Sequence, residues 1–277
     1  MKKLFGVLGN PIAHSLSPLI QNRAYASVNI HAYFQPFHVE QKDLENAVKG
    51  MKALGIEGFM VTVPFKSEIL SYLDELTPTA LTTGAVNVVH LIDGKYVGFN
   101  LDGQAWLSAA KEDMGISELT NEHVLLIGAG GAARSIYYTL SQHNHVKIDI
   151  ANRTLEKAEN LKGLNENRIK TRTISLEEAE DNLEQYDIIV QTTSIGMWPH
   201  KHETPIQVKK LKENVFVSDI IYNPYETAFL KQARNKGAFT QNGIKMLASQ
   251  NAYCIEKWTG SCVDSGKMVD ILEESLR

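Results

Sequence analysis

Short apolar runs, each broken by glycine or proline, alternate along this chain with stretches whose apolar positions recur every three or four residues. The first kind reads as buried strands and the second as helices with one buried face. Leu4 to Leu8, Tyr33 to Val39 and Gly58 to Val63 are strand-like. Between the last two, Asp43 to Leu54 places Leu44, Ala47, Val48, Met51 and Leu54 on one helical face, and Gly55 stops it. Strand alternating with helix predicts a parallel α/β arrangement. Gly84 to Ile92 and Lys95 to Phe99 form a hairpin across Asp93-Gly94, a strong two-residue turn signal. Asp102 is placed to cap a helix running from Gly103 or Gln104 to Met114.

The second half repeats the alternation. Val124 to Ile127 and Val146 to Ala151 are apolar runs separated by a helix from Ser135 to Ser141. Leu155 to Leu164 and Ser175 to Tyr186 read as helices, the second capped by Ser175. Asp187 to Gln191 and Val215 to Ile221 are strands, and Glu226 to Lys236 is helical. Gly243 to Trp258 and Asp264 to Leu276 close the chain as two helices. The first half has too few helices to cover its own sheet, so the chain is expected to return to it. The division expected is 1–103 completed by 244–277, with 104–243 as a nucleotide-binding domain.

The stretch Val124-Leu-Leu-Ile-Gly-Ala-Gly-Gly-Ala-Ala-Arg134 sits at a strand–turn–helix junction, the context in which a glycine loop carries meaning. Gly128 permits a tight turn, Gly130 lets a pyrophosphate approach the backbone, and Ala133 is small enough for close helix packing. The amide groups of the helix start would face the anion. At the end of the next apolar run stand Asn152-Arg153-Thr154. An NAD site usually has a carboxylate here for the ribose hydroxyl; an amide and an arginine fork favour a 2′-phosphate instead, hence NADP.

Composition narrows the class without changing it. The chain has 277 residues, 43% hydrophobic, enough for two domains with real cores. A net charge of −4 announces no surface for nucleic acid. No apolar run is long enough to span a membrane, and the N-terminus lacks the pattern of a signal peptide. The only cysteines, Cys254 and Cys262, read as reduced core thiols of a cytoplasmic protein. His200 and His202, beside a proline and lacking a third ligand, read as a loop and not a metal site.

Nicotinamide chemistry needs an acid beside the carbonyl that receives hydride. Lys66 and Asp102, at strand ends facing the glycine loop, are the candidates. Ser15 and Ser17 precede a helix start in His14-Ser-Leu-Ser-Pro18, where Ser17 reads as the N-cap and Pro18 as the first helical residue. The same two hydroxyls could hold a small anion.

These segments, with Val61-Thr-Val-Pro-Phe-Lys66, Gly84-Ala-Val-Asn87, Gly98-Phe-Asn-Leu-Asp-Gly103 and Gly243-Ile-Lys-Met-Leu-Ala-Ser-Gln250, occur in an order that resembles the bacterial shikimate dehydrogenases along nearly the whole chain. The resemblance implies NADP-dependent, reversible reduction of 3-dehydroshikimate to shikimate, with a discontinuous substrate domain and a Rossmann domain facing across a cleft. It implies Lys66 and Asp102 as the acid–base pair, and Ser15 and Ser17 as ligands of the substrate carboxylate. Thr62, Asn87, Tyr222 and Gln250 would complete the substrate site. Gly128, Ala129, Gly130, Gly131 and Ala132 would hold the pyrophosphate, Asn152, Arg153, Thr154 and Lys157 the 2′-phosphate. Ile220, Gly243 and Met246 would lie near the nicotinamide. The partner implied is a small molecule, the protein being a monomer or homodimer without nucleic acid or membrane. Met60 and Leu101 stand where such proteins usually carry Asn and Thr, which makes the expected pocket more apolar, and Gln191 stands where Asn is common. Related readings are a quinate-type dehydrogenase acting on another cyclic hydroxy acid, or a nucleotide-binding relative without turnover.

Overall fold

A computed structural model describes residues 2–143, 145–165 and 169–276. The chain divides into two compact units: Met1–Asp102 with Ala248–Leu272, and Gly103–Leu247 with Glu273–Arg277.

The first unit contains β1 (Lys3–Gly9), α1 (Ser17–Ser27), β2 (Ala32–His38), α2 (Leu44–Ala53), β3 (Gly58–Val61), β4 (Glu75–Leu76), α3 (Pro78–Thr83), β5 (Val88–Ile92) and β6 (Lys95–Phe99). Its sheet runs β2-β1-β3-β5-β6-β4. β1 pairs in parallel with both β2 and β3, whereas β3–β5 and β5–β6 are antiparallel. The sheet is thus mixed, because the expected hairpin forms and turns on Asp93 (φ 49°) and Gly94 (φ 77°). On one face Phe59, Val61 and Leu8 pack with Leu44, Val48 and Met51 of α2. On the other, the Phe5 ring stacks on Trp258 with centroids 4.8 Å apart. Gly58 makes room there: a Cβ would lie 2.3 Å from the indole nitrogen, which donates to the Val89 carbonyl at 3.0 Å.

The second unit contains α4 (Asp102–Met114, of which Asp102 is grouped with the first unit), β7 (His123–Ile127), α5 (Gly131–Ser141), β8 (Lys147–Ala151), α6 (Leu155–Lys162), β9 (Thr171–Ile174), α7 (Leu176–Asp181), β10 (Ile188–Gln191), β11 (Phe216–Asp219), α8 (Ala228–Asn235) and β12 (Phe239–Gln241). α9 (Ile244–Thr259) and α10 (Ser265–Leu276) follow. The strand order is β12-β11-β10-β7-β8-β9, every neighbour parallel. Helices cover both faces, so β7 is apolar from Val124 to Ile127: Val124 and Leu126 join α5 residues Ile136 and Leu140, while Leu125 and Ile127 join Phe229 and Leu230 of α8. This is a doubly wound Rossmann-type layer with its switch point between β7 and β10.

Several expectations need correction. α1 starts at Ser17, so Leu16 is the N-cap and Pro18 the second helical residue. The Ser15 hydroxyl, not that of Ser17, accepts a backbone N–H, from Ser17 at 3.3 Å. The helix after β6 begins at Asp102 itself. The helix from Ser175 stops at Asp181, with a short 3-10 turn at Leu183–Gln185. Of the two thiols, Cys254 is buried but Cys262 is exposed and not in a core.

Candidate active site and nucleotide site

In the first unit the chain leaves β1 to start β2 and returns on the other side of β1 as β3. That reversal opens a crevice beyond the carboxyl ends of adjacent strands. The loop after β1 carries Ser15 and leads to Ser17 at the start of α1; the turn after β3 carries Thr62 and Lys66. Asn10 N–H to the Val63 carbonyl, 3.1 Å, ties the two loops together. Phe65, wholly buried, anchors the turn in the core, and the Lys66 carbonyl accepts Val86 N–H at 2.7 Å.

The antiparallel hairpin brings further groups to the same edge. β5 starts, and β6 ends, where β3 ends: Val61 N–H donates to the Asn87 carbonyl at 2.8 Å and Asn87 N–H to that of Phe99 at 3.0 Å. Asn87 and Asp102 therefore meet Lys66. The Lys66 ammonium donates to Asp102 Oδ2 at 2.6 Å, the lysine side chain 22% exposed and the carboxylate 2%. Asp102 Oδ1 accepts two amides, Asn87 Nδ2 at 2.7 Å and Gln250 Nε2, from α9, at 2.6 Å. Asn87 Oδ1 accepts Leu101 N–H at 2.9 Å, so each end of its amide is anchored once and keeps one further hydrogen-bonding position. A carboxylate gripped on one oxygen by amides presents the other to a lysine that still reaches solvent, an arrangement suited to moving a proton at the surface of a crevice.

Asn100 belongs to this cluster and was passed over in the sequence. Its Oδ1 accepts Asp102 N–H at 3.2 Å, while Nδ2 donates to the Thr83 hydroxyl at 3.1 Å and the Ala85 carbonyl at 3.0 Å. The available signal was an Asn two residues ahead of a helix start, the pattern of an Asx turn. Behind Asp102, burial pushes the Cys254 thiol up, and the nearby carboxylate adds to it. Met60 and Leu101 are both buried, at 5% and 8% exposed, and Met60 lies across from Val88. Tyr222 belongs to the second unit, beyond β11, where burial raises its phenol.

In the second unit the loops after β7 and β10 meet at the switch point. Gly128 has φ 110°, and a Cβ there would come within 2.6 Å of Thr192 Oγ1. Gly130 differs: it is extended, and a Cβ would meet nothing within 4 Å. It precedes a helix with no side-chain cap and no acidic residue in its first turn. Open space, unclaimed N–H groups and a positive helix end fit a pyrophosphate. At the end of β8, Asn152 donates to the Thr154 carbonyl at 2.8 Å, and Thr154 is the N-cap of α6 without a side-chain bond. Arg153 and Lys157 are exposed. A cationic fork with no carboxylate on the strand end fits a ribose bearing a 2′-phosphate. The Ile220–Gly243 contact is close enough to require glycine, since a Cβ at Gly243 would lie 2.1 Å from the Ile220 carbonyl oxygen. Met246, on α9, is partly buried against the core of this unit.

Comparison with known proteins adds to this geometry. Residues 7–89 match the shikimate dehydrogenase substrate binding domain, and residues 108–224 the shikimate / quinate 5-dehydrogenase domain. A shikimate dehydrogenase (NADP(+)) of Bacillus mycoides is 48% identical over 100% of this chain and 99% of its own. A solved shikimate dehydrogenase in complex with NADP+ is 37% identical, with a TM-score of 0.93, covering 100% of this chain and 96% of its own. The Thermus thermophilus shikimate 5-dehydrogenase, solved with NADP(H) and shikimate, is 30% identical with a TM-score of 0.88, covering 99% of this chain and 100% of its own.

Proposed function

The chain belongs to the shikimate dehydrogenase family, and we propose from that premise that it reduces 3-dehydroshikimate reversibly to shikimate with NADP as cofactor, Lys66 and Asp102 moving the proton. The observation that carries the residue assignment is the Lys66–Asp102 contact at 2.6 Å with the carboxylate fixed by Asn87 and Gln250.

When bound, NADPH supplies the hydride that converts the ketone to an alkoxide. Lys66 donates a hydrogen bond to the carbonyl oxygen and then its proton as that oxygen gains charge. Asp102 holds Nζ in place and accepts hydrogen bonds from the lysine and the substrate side. In the reverse direction the neutral amine takes the proton back. Ser15 and Ser17 bind the substrate carboxylate through hydroxyl donors. Thr62, Asn87, Tyr222 and Gln250 bind the ring hydroxyls, for which both donors and acceptors are needed. Residues 1–103 with 244–277 form the substrate domain in this reading, and 104–243 the NADP domain. There Gly128 to Ala132 hold the pyrophosphate and Asn152, Arg153, Thr154 and Lys157 the 2′-phosphate, with Ile220, Gly243 and Met246 at the nicotinamide. The protein works on small molecules in the cytoplasm, as a monomer or homodimer.

The test is absorbance at the NADPH band with purified protein, NADP, and either shikimate or quinate. Reduction with shikimate supports the reading. Reduction with quinate alone replaces it by a quinate-type dehydrogenase, and NADPH binding without turnover on either acid makes the chain a nucleotide-binding relative.

A further inference from the structure

The second unit buries a carboxylate that none of these roles uses. Asp219 ends β11 and is 0% exposed. Its Oδ1 accepts Ile221 N–H at 3.0 Å and Gln191 Nε2–H at 3.5 Å; its Oδ2 accepts the Thr227 hydroxyl at 2.8 Å. Thr227 Oγ1 in turn accepts Leu230 N–H at 3.2 Å, which starts α8. Gln191 also donates to the carbonyls of Thr193, 3.2 Å, and Ile195, 3.1 Å, and accepts Thr193 N–H.

The network extends to the loop after β7 and to the start of α9. Thr192 Oγ1 donates to the Ile127 carbonyl at 2.7 Å, directly ahead of Gly128. On the other side, the Ile221 carbonyl accepts Gly243 N–H at 2.9 Å. Loops after β7, β10 and β11 and the start of α9 are thus joined through Gln191 and Asp219. The groups facing Asp219 are an amide from β10, a backbone N–H from the loop after β11 and a hydroxyl ahead of α8. Among the described residues, no ionisable side chain acts on it.

We infer that Asp219 is a positioning residue for the cofactor: through Gln191, Ile221 and Thr227 it holds the loops after β10 and β11 in the register that NADP binding needs. The inference rests on reading the second unit as the NADP domain.

A charged carboxylate accepts at both oxygens and makes stronger bonds than a neutral acid. Once protonated, one oxygen must donate, and the Thr227 hydroxyl, already accepting from Leu230, loses its own acceptor. Burial without a counter-charge raises the Asp219 carboxyl to about 7. The hold on the loops therefore tightens as pH rises through about 7. Folding stability moves the other way. A raised folded-state value means the native protein keeps its proton more firmly than the unfolded chain. That stabilisation is complete below the ordinary carboxylate range and is lost as pH rises through about 7.

The test is NADPH affinity by fluorescence on the full-length protein across about pH 5.5 to 8.5, the span that brackets the transition. Wild type should gain affinity several-fold as pH rises. Asp219→Asn should weaken binding by roughly 10-fold at the upper end and abolish the pH dependence, raising KM for NADP more than it lowers kcat. If that variant does not fold, Thr227→Val should weaken NADPH binding while Thr227→Ser restores it. A folded Asp219→Asn with wild-type affinity and pH dependence would overturn the proposal, as would wild-type affinity in Thr227→Val. Wild-type protein that fails to bind NADPH would overturn the underlying cofactor reading instead.

Discussion

Each unit has a candidate site where neighbouring strands leave in opposite directions, between β1 and β3 in the first and between β7 and β10 in the second. The two are furnished in opposite ways. At the first, side chains do the work, and they are already fastened: Lys66 on Asp102, Asp102 on Asn87 and Gln250, Asn87 on Leu101. At the second, the surface offered is backbone: a helix start without a cap, a glycine with open space above it, and exposed cations at the rim. The difference follows from the roles proposed for the two sites. Proton transfer demands a donor held at a fixed distance, so its neighbours must lock it. A pyrophosphate is a diffuse anion that several N–H groups can share, and it needs access more than it needs any one side chain.

Substitutions separate the two kinds of site. The largest effect belongs to Lys66→Ala, expected to lower kcat/KM by about 10²–10⁴ while NADPH affinity measured by fluorescence stays unchanged. Equal turnover in the variant would remove Lys66 from the chemistry. Next comes Gly128→Ala. Its φ of 110° and the 2.6 Å approach to Thr192 Oγ1 strain any side chain. Denaturant titration should show a loss of about 2 kcal/mol or more. Arg153→Ala, at an exposed side chain, should leave the melting temperature alone and reduce the preference for NADPH over NADH by about 10-fold or more. An unaltered cofactor ratio would assign the 2′-phosphate to other groups. The smallest effect is expected of Gly130→Ala. With nothing within 4 Å of the added Cβ, the empty protein should be as stable as wild type. Only NADPH affinity should fall, by roughly several-fold, as the methyl meets the phosphate. If Gly130→Ala destabilised the protein as much as Gly128→Ala, the contrast between a structural and a ligand-facing glycine would fail.

Much of the fold was legible because buried strands announce themselves. β7 and β10 carry apolar side chains on both faces, so the run alone marks them. What escaped were three of the four edges, β2 being the exception. Glu75–Leu76 has two residues, Thr171–Ile174 has three polar residues before its one apolar one, and Phe239–Gln241 leaves its phenylalanine 64% exposed. An edge strand faces water on one side and carries no continuous apolar signal. α3 escaped for another reason: its threonines are poor helix formers, and its start depends on the Thr77 cap accepting Ala80 N–H and on Pro78. The misplaced cap at α1 is also local: both serines have capping side chains, but Leu16 takes the N-cap position and the Ser15 hydroxyl accepts Ser17 N–H in the turn ahead of it.

The sequence by itself determined the elements and the nucleotide loop, because both depend on neighbours in the chain: apolar period, the turn at Asp93-Gly94, the left-handed Gly128, the absence of acid at Asn152. It also placed Lys66 and Asp102 at strand ends. Only the tertiary structure decided how they are held. Gln250 reaches Asp102 across 148 residues, and Asn87 meets it because β5 runs against β3 and begins where β3 ends. The Asp219 network was invisible for the same reason. A carboxylate at the end of an apolar run looks like any other until burial removes its water, and the groups that replace that water come from β10, from the following loop and from the start of α8.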